Sequence, residues 1–228
     1  MAVTDEAILR IKEMIVSGQL RPGDRLPPEK DLSEELGLSR NSLREAVKAL
    51  ELIRVLDVRR GDGTYVTSLS PELLLDTMSF VVDLHHDGTV MQFLEVRRLL
   101  EPEAAALAAG SIDDSALAEL GELLAEGEQL ARAAEVDHER MVRNDVAFHG
   151  LIGRACGNPV LATVVASMSG ATTRARVWRG ITQENAASRT VAEHRAIYTA
   201  LSNRDPNRSR LYAAVHVAGV EDWLRAVL

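Results

Sequence analysis

The chain has 228 residues, 46% of them apolar, a net charge of −8 and a single cysteine, Cys156. That length fits one large domain or two small ones. No apolar run approaches the roughly 20 residues a membrane-crossing helix needs, and one cysteine excludes an intrachain disulfide framework and suits a cytoplasmic location.

The opening MAVTDEAILR lacks a basic segment followed by an apolar one, so no signal peptide is expected. Within TDEAILRIKEMIVSG, Ile8, Ile11 and Ile15 recur at helical spacing; Thr4 is the expected N-cap and Gly18 closes the helix. QLRPGDRLPP reads as an extended loop. PEKDLSEELG reads as a short helix ended by Gly37. LSRNSLREAVKALELI reads as another helix, capped by Ser39, with Leu43, Val47 and Leu50 inward. Two helices joined by a tight Gly-containing turn make a helix-turn-helix. RVLDVRRGDGTYVT then alternates apolar and polar residues around RGDG, a hairpin signal, which completes a winged helix.

Composition changes near residue 70. TSLSPEL reads as a linker and helix start, with Ser70 as N-cap and Pro71 at the first helical position. Residues 1–68 are thus expected to form one domain and 69–228 a second, all-helical one. The second predicts helices over 72–85, 90–109, 114–133, 138–155, 159–179, 185–203 and 206–227, with a kink at Pro102. The fold class expected is mainly α: a winged helix-turn-helix followed by an antiparallel helical bundle. Cys156, in GRACGNP, reads as a small buried thiol rather than a nucleophile.

Charge is uneven. Residues 39–61 carry Arg40, Arg44, Lys48, Arg54, Arg59 and Arg60 against Glu45, Glu51 and Asp57. A confined basic stripe in an acidic protein suits a DNA-contacting element. Arg40 and Arg44 share a face at the start of the second helix of the motif, the end that enters the major groove. Arginine can bind guanine O6 and N7 through two parallel hydrogen bonds. Asn41 suits adenine or phosphate, and Ser39 and Lys30 suit phosphate. Gly61, beside Arg59 and Arg60, lets backbone approach a minor groove. Helix chemistry alone leaves a competing reading, a solvated face in which Glu45 and Glu51 pair with Arg44 and Lys48.

The run GQLRPGDRLPPEKDLSEELGLSRNSLREAVKALE, followed by RRGDGTYV, resembles the winged helix of the GntR family of bacterial transcription regulators. The resemblance implies contact with double-stranded operator DNA through Lys30, Ser39, Arg40, Asn41, Arg44 and Gly61. One departure stands out: the family often has a small or Gly-containing turn after the recognition helix, where this chain has ELIRVLD.

Three histidines fall within predicted helices among apolar neighbours: His149, His194 and His216. Asp145 stands one turn before His149. Singly, such histidines are usually satisfied core residues. Three imidazoles and a carboxylate together can bind a divalent ion and leave positions open. His85 and His86 receive no role, and His138, after Asp137 at a helix start, reads as a surface or cap residue. The segments FLEVRRLLEPEAAALAA, NDVAFHGLIGRACGNPVL, EHRAIYTAL and YAAVHV resemble the FCD effector domain of the FadR subgroup of that family. That resemblance implies a metal held by Asp145, His149, His194 and His216, with zinc first and nickel or manganese as alternatives. It also favours Arg97 as a grip for the carboxylate of a small organic acid. The competing reading for Arg97 is a helix salt bridge with Glu101, and Arg98 is the register alternative. Asn144, Arg174, Arg176, Trp178 and Arg189 are further candidates to line the same cavity.

A metal site alone also fits a hydrolase. Glu193 is the adjacent candidate base, but a sequence neighbour on a helix points about 100° away from His194. The fused DNA module favours a regulator over an enzyme, expected to be a homodimer on two half-sites, a repressor relieved by its effector, with activation as the alternative. A purely structural metal with no effector is the remaining reading.

Overall fold

The computed structural model describes residues 3–70, 73 and 89–227. The chain divides into two compact units, Met1–Thr77 and Met78–Leu228. The helix expected over 72–85, the Pro71 start and His85 and His86 lie outside the described residues. Among the described residues no helix is long and apolar enough to cross a membrane.

The first unit contains α1 (Val3–Val16), α2 (Glu29–Leu36), α3 (Arg40–Leu52), β1 (Leu56–Arg59) and β2 (Gly63–Val66). α1 already includes Thr4, so that residue is inside the helix rather than its cap. Ile11, Met14, Leu32, Leu43, Leu50, Leu56 and Val66 close one core, with Ile8, Ile15 and Val47 packed against it. The turn between α2 and α3 rests on Gly37, whose φ of 67° is left-handed, a conformation glycine adopts without steric cost. Ser39 then caps α3 by accepting from the Ser42 N–H.

The strands pair antiparallel in the register Leu56↔Val66 to Arg59↔Gly63. The chain before α2 adds to this hairpin: the Leu26 N–H donates to the Thr64 carbonyl and the Val66 N–H to that of Asp24. After α3 the chain turns through Arg54, whose φ of 59° is the conformation a glycine would take more easily. The Val55 N–H donating to Leu50 and the Arg54 N–H donating to Glu51 hold that turn. ELIRVLD therefore makes a left-handed turn with an arginine, and the hairpin still forms.

The second unit contains α4 (Thr89–Ser111), α5 (Asp114–Ala131), α6 (His138–Ala155), α7 (Pro159–Ala171), α8 (Thr173–Thr182), α9 (Ala186–Ser202) and α10 (Pro206–Val227). α4 runs on through Pro102 and packs along α10. Ala104, Ala105, Ala108 and Ala109 give α4 a face of small side chains. They pack with Leu120, Phe148, Ile152, Ile197, Leu201 and Ala213 in one core that also buries Cys156. Each large aliphatic or aromatic side chain so buried stabilises the fold by about 1.5–3 kcal/mol. Asp113, Asp137 and Asn158 each accept a backbone N–H at the start of α5, α6 and α7.

The single helix expected over 159–179 is two helices that break at Thr172. The Thr172 hydroxyl bonds back to the Ser169 carbonyl and receives Nη1 of Arg97. A β-branched residue offering its own hydroxyl to the backbone competes with helix continuation. The break turns α8, with Arg176 and Arg179, toward α6 and α10.

Candidate functional site

The exposed side of α3 carries the basic residues expected at DNA. Lys30, Ser39, Arg40, Asn41, Arg44 and Gly61 are all exposed. Arg44 Nε lies 2.9 Å from the Glu29 carboxylate, an exchangeable surface pair linking α3 to α2. Arg40 forms no ion pair among the described residues. Lys48 pairs with Glu45 at 2.9 Å. In the hairpin, Gly61 takes a φ of 79° at the turn, and Arg59 pairs with Asp57 and lies over the Tyr65 ring at 4.2 Å.

In the helical unit, Asp145 and His149 stand one turn apart on α6, and α9 and α10 bring His194 and His216 to them. All four are buried, and one ligand atom from each lies within 4.8 Å of the others. Asp145 Oδ1 is 3.9 Å from His149 Nε2, 3.3 Å from His194 Nε2 and 3.5 Å from His216 Nε2. None of the three Nε2 atoms has a hydrogen-bond partner. Ligands bonded tetrahedrally to zinc at about 2.0–2.2 Å stand about 3.3–3.6 Å apart, close to the spacings around this carboxylate oxygen.

Electrostatics favours the same arrangement. Burial lowers the pKa of all three histidines, those of His149 and His194 well below the usual range. The rings are therefore neutral near pH 7, with lone pairs available. Their outer faces are fixed by packing and by carboxylates. His149 Nδ1 is 3.2 Å from Glu101 Oε2 and His216 Nδ1 is 2.9 Å from Glu193 Oε2. Phe148 stacks on His194 with ring centroids 4.2 Å apart. A carboxylate on Nδ1 holds the proton there and leaves Nε2 as the ligand atom. For Glu101, burial raises the pKa, but the neighbouring Arg97 guanidinium leads the opposing effects that bring it down to about 2. For Glu193, burial raises the pKa less than the His216 hydrogen bond and the charges around it lower it. The cluster can thus bind a divalent metal ion.

Arg97 is placed differently from the effector grip expected. It is fully buried, with Nε 2.6 Å and Nη2 3.3 Å from the Glu101 carboxylate and Nη1 donating to Thr172 at 2.8 Å. The salt bridge is the geometry found, and an effector would have to displace Glu101. Arg98, the register alternative, pairs with Glu221 at 3.0 Å. A small cavity of about 40 Å³ adjoins the cluster, lined among others by Met141, Asp145, Arg176, Arg179, His216 and Val220. Of the further lining candidates only Arg176 is there, donating to Asp145 Oδ2 and to the Ser169 carbonyl. Asn144 turns to α5 and donates to the Leu123 carbonyl. Arg174 and Trp178 line a separate open groove, and Arg189 pairs with Glu193 at 3.2 Å.

Arg179 reaches the site without a place in the sequence reading, while Glu101, read only as a partner of Arg97, and Glu193, weighed only as a base beside His194, reach it through His149 and His216. Arg179 follows Arg176 by three residues, a spacing that puts both on one helix face. Glu193 faces away from His194 along α9 but meets His216 on the neighbouring helix, a contact no single-helix argument contains. Its carboxylate is engaged by His216 and Arg189, so it is not a free base.

The family described as "Bacterial regulatory proteins, gntR family" matches residues 3–66, and the FCD domain matches residues 92–219. The galactonate operon transcriptional repressor of Escherichia coli (strain K12) is 29% identical over 98% of this chain and 97% of its own length. The HTH-type transcriptional regulator LutR of Bacillus subtilis (strain 168) is 30% identical, covering 92% of this chain and 96% of its own. The solved structure of Streptococcus agalactiae GntR matches with a TM-score of 0.73 at 25% identity, over 96% of this chain and 99% of that one.

Proposed function

The chain belongs to the gntR family of bacterial regulatory proteins and carries an FCD domain, a transcription regulator rather than an enzyme, and from that premise we propose that a small organic acid bound at a metal centre sets its affinity for operator DNA. Residues 1–68 bind DNA and 69–228 sense the acid. Arg40 and Arg44 read bases, Asn41, Ser39 and Lys30 contact base or phosphate, and Gly61 lets the wing approach the minor groove. Asp145, His149, His194 and His216 hold the ion, zinc first, with nickel or manganese as alternatives. The observation that carries this is the convergence of three buried, unpartnered Nε2 atoms on one carboxylate.

When bound, the ion supplies positive charge and open coordination positions to a carboxylate. The chain's own residues do the rest. Arg176 holds Asp145 Oδ2 and so leaves Oδ1 facing the imidazoles, while Glu101 and Glu193 hold two of the rings. Arg97 anchors Glu101. A relative named for a galactonate operon supports a sugar acid or related hydroxy acid as the effector class. A ligand that prefers one arrangement of the helical unit shifts the population toward it. In a homodimer that shift changes how two winged helices meet two half-sites, and operator affinity changes with it.

Site selection from random DNA is expected to return an inverted repeat with half-sites about one helical turn apart. Sugar acids and hydroxy acids titrated onto that complex are expected to release it, as for a repressor. An asymmetric site would contradict the dimer, and DNA affinity unmoved by every acid would favour a purely structural metal. Glu193→Ala is expected to weaken metal binding about 10–100-fold by freeing the His216 ring. Competition against a chromophoric chelator checks this, and unchanged affinity would remove Glu193 from the site.

A further inference from the structure

Three arginines of the helical unit are buried: Arg97, Arg176 and Arg179. The first two have carboxylate partners, Glu101 and Asp145. Arg179 has none. Its Nε donates to Gln183 Oε1 at 2.6 Å, but its Nη2 is buried without a hydrogen-bond partner, and no carboxylate forms an ion pair with it among the described residues. Glu193 acts on Arg179 through its charge, but its carboxylate is engaged by His216 and Arg189. Burying a guanidinium without an anion in direct contact is costly, and burial lowers the Arg179 pKa by more than the Glu193 charge raises it. Arg179 lines the same small cavity as Asp145 and His216.

We propose that Arg179 is the anion anchor of that cavity, gripping the carboxylate of the bound ligand. The inference rests on the metal-centre reading above and assigns the grip to a residue other than Arg97. The charges support it. Arg97 offsets Glu101, Arg176 offsets Asp145 and Arg189 offsets Glu193. Arg179 shares only Glu193, which His216 and Arg189 already engage, and an ion adds further positive charge, so an anionic ligand fits this side of the cavity. Gln183 holds one edge of the guanidinium and leaves the Nη2 side for the ligand.

The test uses the full chain loaded with cobalt(II), whose visible absorption reports binding of two probes, acetate and imidazole. Arg179→Met removes the charge at similar length, and Arg179→Lys keeps it. Acetate affinity is expected to fall at least tenfold in Arg179→Met, equivalent to about 1.4 kcal/mol. It is expected to recover in part in Arg179→Lys. Cobalt content and imidazole affinity are expected to match the unchanged protein. Equal acetate affinity in Arg179→Met would overturn the anchor while leaving the metal centre standing. Loss of cobalt, or of acetate and imidazole binding together, would make Arg179 a structural residue and overturn the proposal. Failure of the unchanged protein to take up cobalt would overturn the metal-centre reading first, and the anchor with it.

Discussion

Replacing both Arg40 and Arg44 with alanine is expected to weaken operator binding by about 2–6 kcal/mol, since each bidentate contact to a base discriminates by about 1–3 kcal/mol. The two share one face of α3, so the combined loss is not strictly additive. Arg44 must leave Glu29 to reach DNA, whereas Arg40 has no ion pair to break among the described residues. Arg40→Ala alone is therefore expected to cost more than Arg44→Ala. Lys30→Ala provides the contrast: it should weaken operator and scrambled DNA alike and reduce the salt slope by about one. Fluorescence anisotropy on the selected operator and a scrambled duplex, at two salt concentrations, separates these outcomes. A double variant that binds the operator within about twofold of the unchanged protein would move DNA reading off α3.

The second large effect is expected at His194. Its ring stacks on Phe148 and its Nε2 faces Asp145 Oδ1 at 3.3 Å. Removing it takes one of four ligands and leaves Asp145, His149 and His216 without a closed set. An ion present at about 1,000 times its dissociation constant stabilises the folded state by about 4 kcal/mol. The unchanged protein is therefore expected to melt at a clearly lower temperature in a chelator, and His194→Ala to melt at one temperature with or without it. His138→Ala, outside the ligand set, is expected to keep the full chelator shift. Operator release by acid is expected to vanish with the metal in His194→Ala. A chelator shift of unchanged size in that variant would remove His194 from the ligand set.

Much of the fold and part of the site are legible in the sequence, for reasons tied to range. Asp145 and His149 are a local pair on one helix, and helix periodicity alone brings them together. Gly37, Ser39 and Asn158 punctuate helices through their own backbone and side-chain chemistry, again locally. Only the family resemblance joins His194 and His216 to Asp145 and His149, because nothing local says that α9 and α10 deliver those rings to α6. Arg97 shows the limit. Its spacing to Glu101 serves a salt bridge and an effector grip equally, and only the rotation of α4 against α7 and α8 decides between them. Glu101 is selected by spacing only as a partner of Arg97, while its contact with His149 and that of Glu193 with His216 come from other helices, which no spacing rule reads.

Anomalous scattering from crystals of the metal-loaded protein soaked with an acid that releases the operator tests the central claim most directly. The result expected is one peak bonded to Asp145 Oδ1 and to Nε2 of His149, His194 and His216, with ligand density between that peak and Arg179. A peak elsewhere, or no peak beside those four residues, would contradict it.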